Sequence, residues 1–318
     1  TDAEADSDWD SESDSDSDSD PDCDTDSDSD TDSDSDADTD TGGDTGGDTG
    51  GDPDRFGDFV YTTDRYEADD SCLGATWDAP EAVCMTDHDA SGRVIDFQTS
   101  DPVPSATWTG WTSDDPSTPA DAGGTSDSDG AWSGTLPACT PITLSTEAAG
   151  AVPLYQQHVV YAWDRFSLVS ADLGSMSTST TAIIAALLGV AWTPGTGIVT
   201  GQVFDCAGDP VAGAQMFLHD GAGGVVGSPQ VFYFNETSLP DSSQSSTAAG
   251  VGFYVWLDVE PGTYTLEAWG YDGTTHVELA SASVTAFPES ASLVNLHVGH
   301  DDAVVYPESC YWACDEID

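Results

Sequence analysis

Two patterns of polar and apolar positions divide this chain. In the first forty residues apolar side chains are nearly absent and a strict polar alternation takes their place. Each even position from Asp2 to Asp40 carries Asp or Glu, and most odd positions carry Ser or Thr. Such a segment buries too little apolar surface to offset the entropy of ordering, so it stays extended and solvated. Successive side chains of an extended chain point to opposite sides, so one edge is a row of acids and the other a row of hydroxyls. At about 3.3 Å per residue the tract reaches up to ~130 Å. Three TGGD tetrapeptides follow, Thr41–Asp44, Thr45–Asp48 and Thr49–Asp52. Their paired glycines make a flexible joint.

Beyond Arg55 the pattern changes to short alternating apolar runs separated by turn residues, the signature of β-sandwiches. Phe253, Val255, Leu257 and Val259 are predicted to line one face of a strand, with Tyr254 and Trp256 on the other. Val277–Val284 and Leu293–Val298 read the same way, and Pro261–Ala268 is a tight turn running into an alternating strand. Thr180–Val190, rich in Ala and Leu and closed by Gly189, is the one predicted helix. It is expected to pack over a sandwich edge or to join two units.

An internal repeat organises this part. Ser91-Gly92-Arg93-Val94-Ile95-Asp96-Phe97 followed by Asp101-Pro102-Val103-Pro104-Ser105-Ala106 matches Thr200-Gly201-Gln202-Val203-Phe204-Asp205-Cys206 followed by Asp209-Pro210-Val211-Ala212-Gly213-Ala214, with one residue of slack. Gly124–Pro137 and Ala249–Pro261 then correspond as turns feeding strands. These residues resemble the carboxypeptidase regulatory-like domain, a transthyretin-like (prealbumin-like) β-sandwich. The marks are G-x-V-x-D, P-V-x-G-A, and P-G-x-Y-x-L at Pro261, Gly262, Tyr264 and Leu266. The first unit departs from the pattern. Ser105 replaces the glycine, an insertion near Thr112–Thr125 lengthens a loop, and Leu136-Pro137-Ala138 is what remains of the last motif. The resemblance implies a non-catalytic module of secreted or surface proteins, often in tandem. It is specific for fold and weak for function. The acidic tract resembles the serine–aspartate repeat stalks of bacterial surface adhesins, which implies O-glycans on Ser13, Ser15, Ser17, Ser19, Thr25, Ser27, Ser29, Thr31, Ser33, Ser35 and Thr39.

Charge narrows the partners. The formal charge is −56, from 60 acids against four Arg and no Lys, and residues 1–54 hold 24 of those acids. Nucleic acid and anionic membranes, which need clustered cations, are poor partners. Ca²⁺ is the cation that so many carboxylates would favour. The longest apolar run, Ala182 to Trp192, is too short to span a bilayer. Opening at Thr1 leads to the expectation that a leader has been removed. Six cysteines follow the tract, Cys72, Cys84, Cys139, Cys206, Cys310 and Cys314, with Cys23 inside it. No CxxC occurs, so three disulfides in an oxidising compartment are expected, with fifteen connectivities open. Cys72 and Cys84 are the local pair to expect first.

Catalytic motifs are missing from the sequence. There is no GxSxG elbow, P-loop or GxGxxG, and no HxxE of the zinc enzymes that carry the regulatory module. Asp127-Ser128-Asp129-Gly130 reads as a hairpin turn, with Asp127 and Asp129 as weak Ca²⁺ ligands. Trp108, Trp111 and Trp132 are weak candidates for a sugar-binding platform, set against core packing. His297 and His300 end a strand beside two acids.

The reading is therefore an all-β chain of two tandem Greek-key β-sandwiches with one short helix, preceded by an extended acidic low-complexity tail. Its parts are a stalk and hinge at 1–54, a Cys-containing extension at 55–90, sandwiches at 91–197 and 198–300, and a Cys-containing segment at 301–318. The expected function is that of a non-enzymatic, secreted or surface-exposed glycoprotein, a filament subunit that meets copies of itself or other surface components. It has no cofactor beyond Ca²⁺, no nucleic acid and no membrane span. The competing expectation is a surface-tethered module that binds carbohydrate or peptide.

Overall fold

The computed structural model describes residues 61–74, 87–112, 115–137, 141–159, 169–170, 172–221, 224–226 and 230–299. The acidic tract and residues 300–318 lie outside that set. The described fold is all-β with a single short helix, and the repeat seen in the sequence governs it.

The first unit centres on β1 (Asp87–Asp96). An antiparallel strand, β4 (Ala131–Pro137), flanks it on one side, and two parallel strands in succession, β8 (Val169–Ser170) and β9 (Leu173–Ser177), on the other. The second centres on β10 (Gly197–Phe204), flanked in the same way by antiparallel β14 (Phe253–Val259) and by parallel β17 (Ala291–Leu293) and β18 (Leu296–His297). A second sheet faces each. In the first unit it runs β3 (Ala122–Thr125), β2 (Thr107–Trp111), β5 (Ile142–Glu147), β7 (Leu154–Val159). In the second it runs β11 (Gln215–His219), β15 (Gly262–Tyr271), β16 (His276–Ala286). Inward side chains of facing sheets interdigitate as in other sandwiches. Val94, Trp132, Leu136 and Leu173 meet Trp108, Ile142 and Leu144 in one core. Val203, Tyr254, Trp256 and Leu296 meet Met216, Leu218, Leu266 and Val284 in the other.

The two units repeat one another down to single hydrogen bonds. Val94 N–H donates to Gly130 O and Val203 N–H to Gly252 O; Val103 N–H donates to Val94 O and Val211 N–H to Val203 O. Asp96 Oδ1 accepts the N–H groups of Gln98 and Thr99, and Asp205 Oδ1 those of Ala207 and Asp209. Such side-chain acceptance within a turn is why Asp ends the G-x-V-x-D strand. Arg93 N–H donates to Asp172 Oδ1 at 3.0 Å, and its counterpart Gln202 N–H to Asn295 Oδ1 at 3.2 Å. This third correspondence, Asp172-Leu173 with Asn295-Leu296, is too short to show in sequence. Gly213 has φ +79, and Ser105 at the same place in the first unit has φ +58. The replacement keeps the left-handed backbone and carries its steric cost.

The two sandwiches share a sheet. β17 pairs with β10 on one side and, in parallel, with β7 on the other, Ala291–Leu293 beside Leu154–Gln156. The joined sheet runs β13 (Pro240–Asp241), β12 (Val231–Phe234), β14, β10, β17, β7, β5, β2, β3. On its outer face lies α1 (Thr178–Leu188), where Ile184 and Leu188 pack on Ile198, Phe232, Val255 and Leu257. Ser177 caps its start by accepting Thr180 N–H, and Gly189 at φ 69 closes its end, as the Gly189 signal predicts. The helix begins two residues earlier than expected because Ser177 supplies the cap.

Two strand readings are corrected. Val255 and Leu257 share the face of Phe253, and Tyr254 and Trp256 the opposite one, as predicted, but Val259 lies with Tyr254 and Trp256. Asp258 at φ 64 inserts an extra residue opposite β10, and a bulge reverses the side-chain parity beyond it. Leu293–Val298 is two strands, β17 and β18. Between them the chain bends so that Val294 O accepts the Tyr254 hydroxyl. A Cβ at Gly201 would overlap that same carbonyl, which is why the motif demands glycine there.

Candidate functional site

The chemistry of the described body collects at an arm, a buried polar cluster and an apolar groove. The arm, residues 61–74, crosses from the sheet edges toward the turn after β10. Tyr66 N–H donates to Tyr271 O, and Glu67 and Ala212 exchange backbone hydrogen bonds. Asp69 N–H donates to Asp205 Oδ2 at 2.8 Å, and Cys206 N–H donates back to Asp69 O. One carboxylate, Asp205, thus holds its own turn with Oδ1 and the arm with Oδ2. A covalent bridge follows, Cys72 to Cys206, with Cα atoms 5.7 Å apart. Tyr66 is buried in the second core, its hydroxyl donates to Asp70, and burial, then that bond and charge, push its pKa up to about 12. Asp69 is held below the usual carboxylate range because it accepts Ser71 N–H. Gly213 lies under the arm: a Cβ there would come within 2.9 Å of Tyr66 Cα.

Cys72 therefore does not pair with Cys84. The docked arm brings Cys72 to the turn after β10, a neighbour that no local spacing reveals. Cys84, Cys139, Cys310, Cys314 and Cys23 lie outside the described residues, as do Ser13, Ser15, Ser17, Ser19, Thr25, Ser27, Ser29, Thr31, Ser33, Ser35 and Thr39, and His300.

The tryptophan platform is not present as expected. Trp108, Trp132 and Trp111 are 1%, 3% and 8% exposed. Trp108 packs on Trp132 with centroids 4.9 Å apart, seated over Gly124 and Gly134, where any Cβ would strike its ring. Trp111 donates its indole N–H to Thr118 O. Platforms for sugar rings need an open face; those of Trp108 and Trp132 are spent on the first core, while Trp111 borders a pocket of about 260 Å³ with Thr112, Asp121 and Pro137. Asp127 Oδ1 accepts the N–H groups of Asp129 and Ala131, at 2.8 and 2.9 Å, so this carboxylate closes a turn. Among the described residues no three His, Cys, Asp or Glu side chains gather as metal ligands. His297 stacks on Phe204.

Sequence reasoning missed the polar cluster on the outer face of β11 and β15. His219 Nε2 lies 3.2 Å from Glu267 Oε2, which also accepts Trp269 Nε1–H at 2.9 Å, and all three side chains are buried. Alternating polar positions suggest a wet face, but Phe217 and Tyr61 pack beside this one. Asn235 Oδ1 accepts Thr237 N–H and its hydroxyl, a turn built from the glycosylation triplet. The groove, about 250 Å³, lies between α1 and the β12–β13 hairpin and is lined by Phe97, Ile183, Leu187, Leu239 and Phe253. No helix among the described residues is long and apolar enough to cross a membrane.

No known protein family matches this sequence, and no curated protein matches it. Solved structures give remote matches. The Bacillus anthracis TIE protein is 12% identical over 67% of this chain, with a TM-score of 0.22, and the chain spans only 34% of its length. The shaft pilin SpaA from Lactobacillus rhamnosus GG is 11% identical over 70% of this chain and all of its own, with a TM-score of 0.21. BcpA, the major pilin subunit of Bacillus cereus, is 8% identical over 66% of this chain and 99% of its own, with a TM-score of 0.22. Scores this low do not establish a common fold.

Proposed function

We propose that this chain is an exported, non-enzymatic structural protein of a cell surface or extracellular filament, with its acidic Ser/Thr tract serving as a glycan-bearing stalk. The observation that carries this reading is the covalent seat of the arm. A disulfide joins the segment leading out of the stalk to the second sandwich, so the reach of the stalk is fixed to a rigid β body in an oxidising compartment. The carboxylates at Asp96, Asp127 and Asp205 support the same reading, since each is used to close a turn. The partition into a stalk, two sandwiches at 91–197 and 198–300 and two flanking Cys-containing segments is part of the proposal, and the repeated hydrogen bonds support it.

Intact-mass measurement of native material, with electron microscopy of the same sample, tests this reading. Mass in excess of the polypeptide on the 1–54 fragment, together with concentration-dependent filaments, is the expected result. A bare polypeptide mass and a persistent monomer refute it. The competing reading, a tethered carbohydrate- or peptide-binding module, loses Trp108 and Trp132 to the core and keeps the groove beside α1 and the pocket that Trp111 borders. A glycan array probed with the whole chain discriminates between the two.

A further inference from the structure

We propose that the Cys72–Cys206 bridge takes the first sandwich out of the mechanical path of the chain. A pull on the acidic arm then reaches the second sandwich directly, and the first hangs in a covalent loop. The bridge joins residues 134 apart in sequence. The loop it closes contains β1 to β9 (β6 being the short strand Ala151–Val152), the helix and β10. Without it, tension arriving at residue 72 would run on into β1, the central strand of the first sandwich, and strip that strand from β4 and β9. With it, tension crosses two sulfur atoms to Cys206, and β1 lies outside the covalent path, with the β17–β7 ladder as the non-covalent link into the first sandwich.

The far end of the described body joins the same place. Val298 O lies 3.0 Å from Cys72 Sγ, and a Cβ at Gly299 would overlap the Cys72 carbonyl oxygen. β18, which leads to Gly299, runs parallel to β10, which leads to Cys206. Cys72, Cys206 and Gly299 therefore converge at one pole of the body. The arrangement suits a body displayed from a strand under tension, whose first sandwich keeps its shape while the load is carried past it. Its biological sense rests on the tethered-stalk reading above, whereas its test reads only the covalent path.

The test is single-molecule stretching of the full chain, with handles at Thr1 and Asp318, before and after a thiol reductant. Reduction is expected to lengthen the fully stretched chain by up to roughly 440–480 Å, the reach of 134 residues at about 3.3–3.6 Å each. The double variant Cys72→Ala/Cys206→Ala is expected to show the long form without reductant. Should that variant fail to fold, the wild-type chain before and after reduction carries the test alone. Equal stretched lengths before and after reduction overturn the proposal. So does a gain on reduction that the double variant, once folded, reproduces in full, because the bypass would then belong to other cysteines. Neither result depends on glycans or filaments, so failure here is distinct from failure of the proposed function.

Discussion

At the residue scale, the glycines of the second unit separate into two physical kinds. Gly201 is needed for space, because the Val294 carbonyl turns in against it; Gly208 is needed for conformation, with φ +84 and open space around its Cα. Gly201→Ala is expected to lose more than ~3 kcal/mol in urea unfolding, in the range of severe steric defects. Gly208→Ala is expected to lose about 1 kcal/mol, the left-handed penalty alone. Equal losses would remove the steric account of the motif. Tyr66 makes a prediction in pH. Its folded-state pKa is raised, to about 12, above the ordinary tyrosine value of about 10. The neutral phenol is therefore the form the docked arm favours. Its contribution is whole below about pH 10 and is lost as pH climbs through about 12. Protection of residues 61–74 from proteolysis should fall across that window, and Tyr66→Phe should flatten the fall. Asp69, Asp115, Asp241 and Asp272 run the other way. Backbone N–H donors hold Asp69 and Asp272 low, and the hydroxyls of Ser117 and Ser243, then their N–H groups, hold Asp115 and Asp241 low, so their turns keep this support above the usual carboxylate range and lose it as pH falls below.

At the element scale, the seam between the sandwiches rests on few bonds, and one side chain acts as a strand. Gln157 of β7 accepts Thr285 N–H at 2.9 Å and donates to Thr285 O at 2.7 Å, capping the end of β16 as a neighbouring strand would. Gln157→Leu keeps the volume but leaves that N–H without its acceptor, at a cost of about 1–3 kcal/mol. Gln157→Glu, which keeps the acceptor, should recover part of the loss by the same denaturant measurement. No sequence pattern announced this bond, because a Gln on a strand reads as a solvent-facing residue. What was legible had local physics behind it. The repeat showed because turn-closing Asp and crowded Gly leave few alternatives, and the helix end showed because Gly189 alone supplies a left-handed cap. What was not legible depended on partners far along the chain. Asp258 carries a bulge without a glycine to mark it. Cys72 finds Cys206 only once the arm has docked. Trp108 is buried because Gly124 lies directly across the ladder and Gly134 lies beneath its ring, a cross-strand match that becomes visible only when the register is known. His219 and Glu267 are covered by groups no periodicity connects to them.

At the scale of the whole molecule, charge sets the working conditions. The chain carries −56 formal charges, and the 36 acids outside residues 1–54 still face only four Arg. Self-repulsion of that size destabilises a compact state, and salt relieves it by shortening the screening length from about 30 Å at 0.01 M to about 3 Å at 1 M. The melting temperature of the full chain is therefore expected to rise with sodium chloride, and to rise less steeply for 55–318 once 24 acids are gone. Guanidinium, being a salt itself, would mask the trend, so thermal or urea unfolding is the measurement to make. A flat salt dependence in both forms would mean that the carboxylates are already neutralised by bound cations. Equal slopes would mean instead that the tract adds nothing to the repulsion felt by the body, and the stalk would then be electrostatically independent of what it carries. The pole where Cys72, Cys206 and Gly299 converge is where these cases part. The 36 acids of the body against four Arg repel one another across that bridge, so reducing the disulfide should cost most at low salt and progressively less as the ionic strength rises.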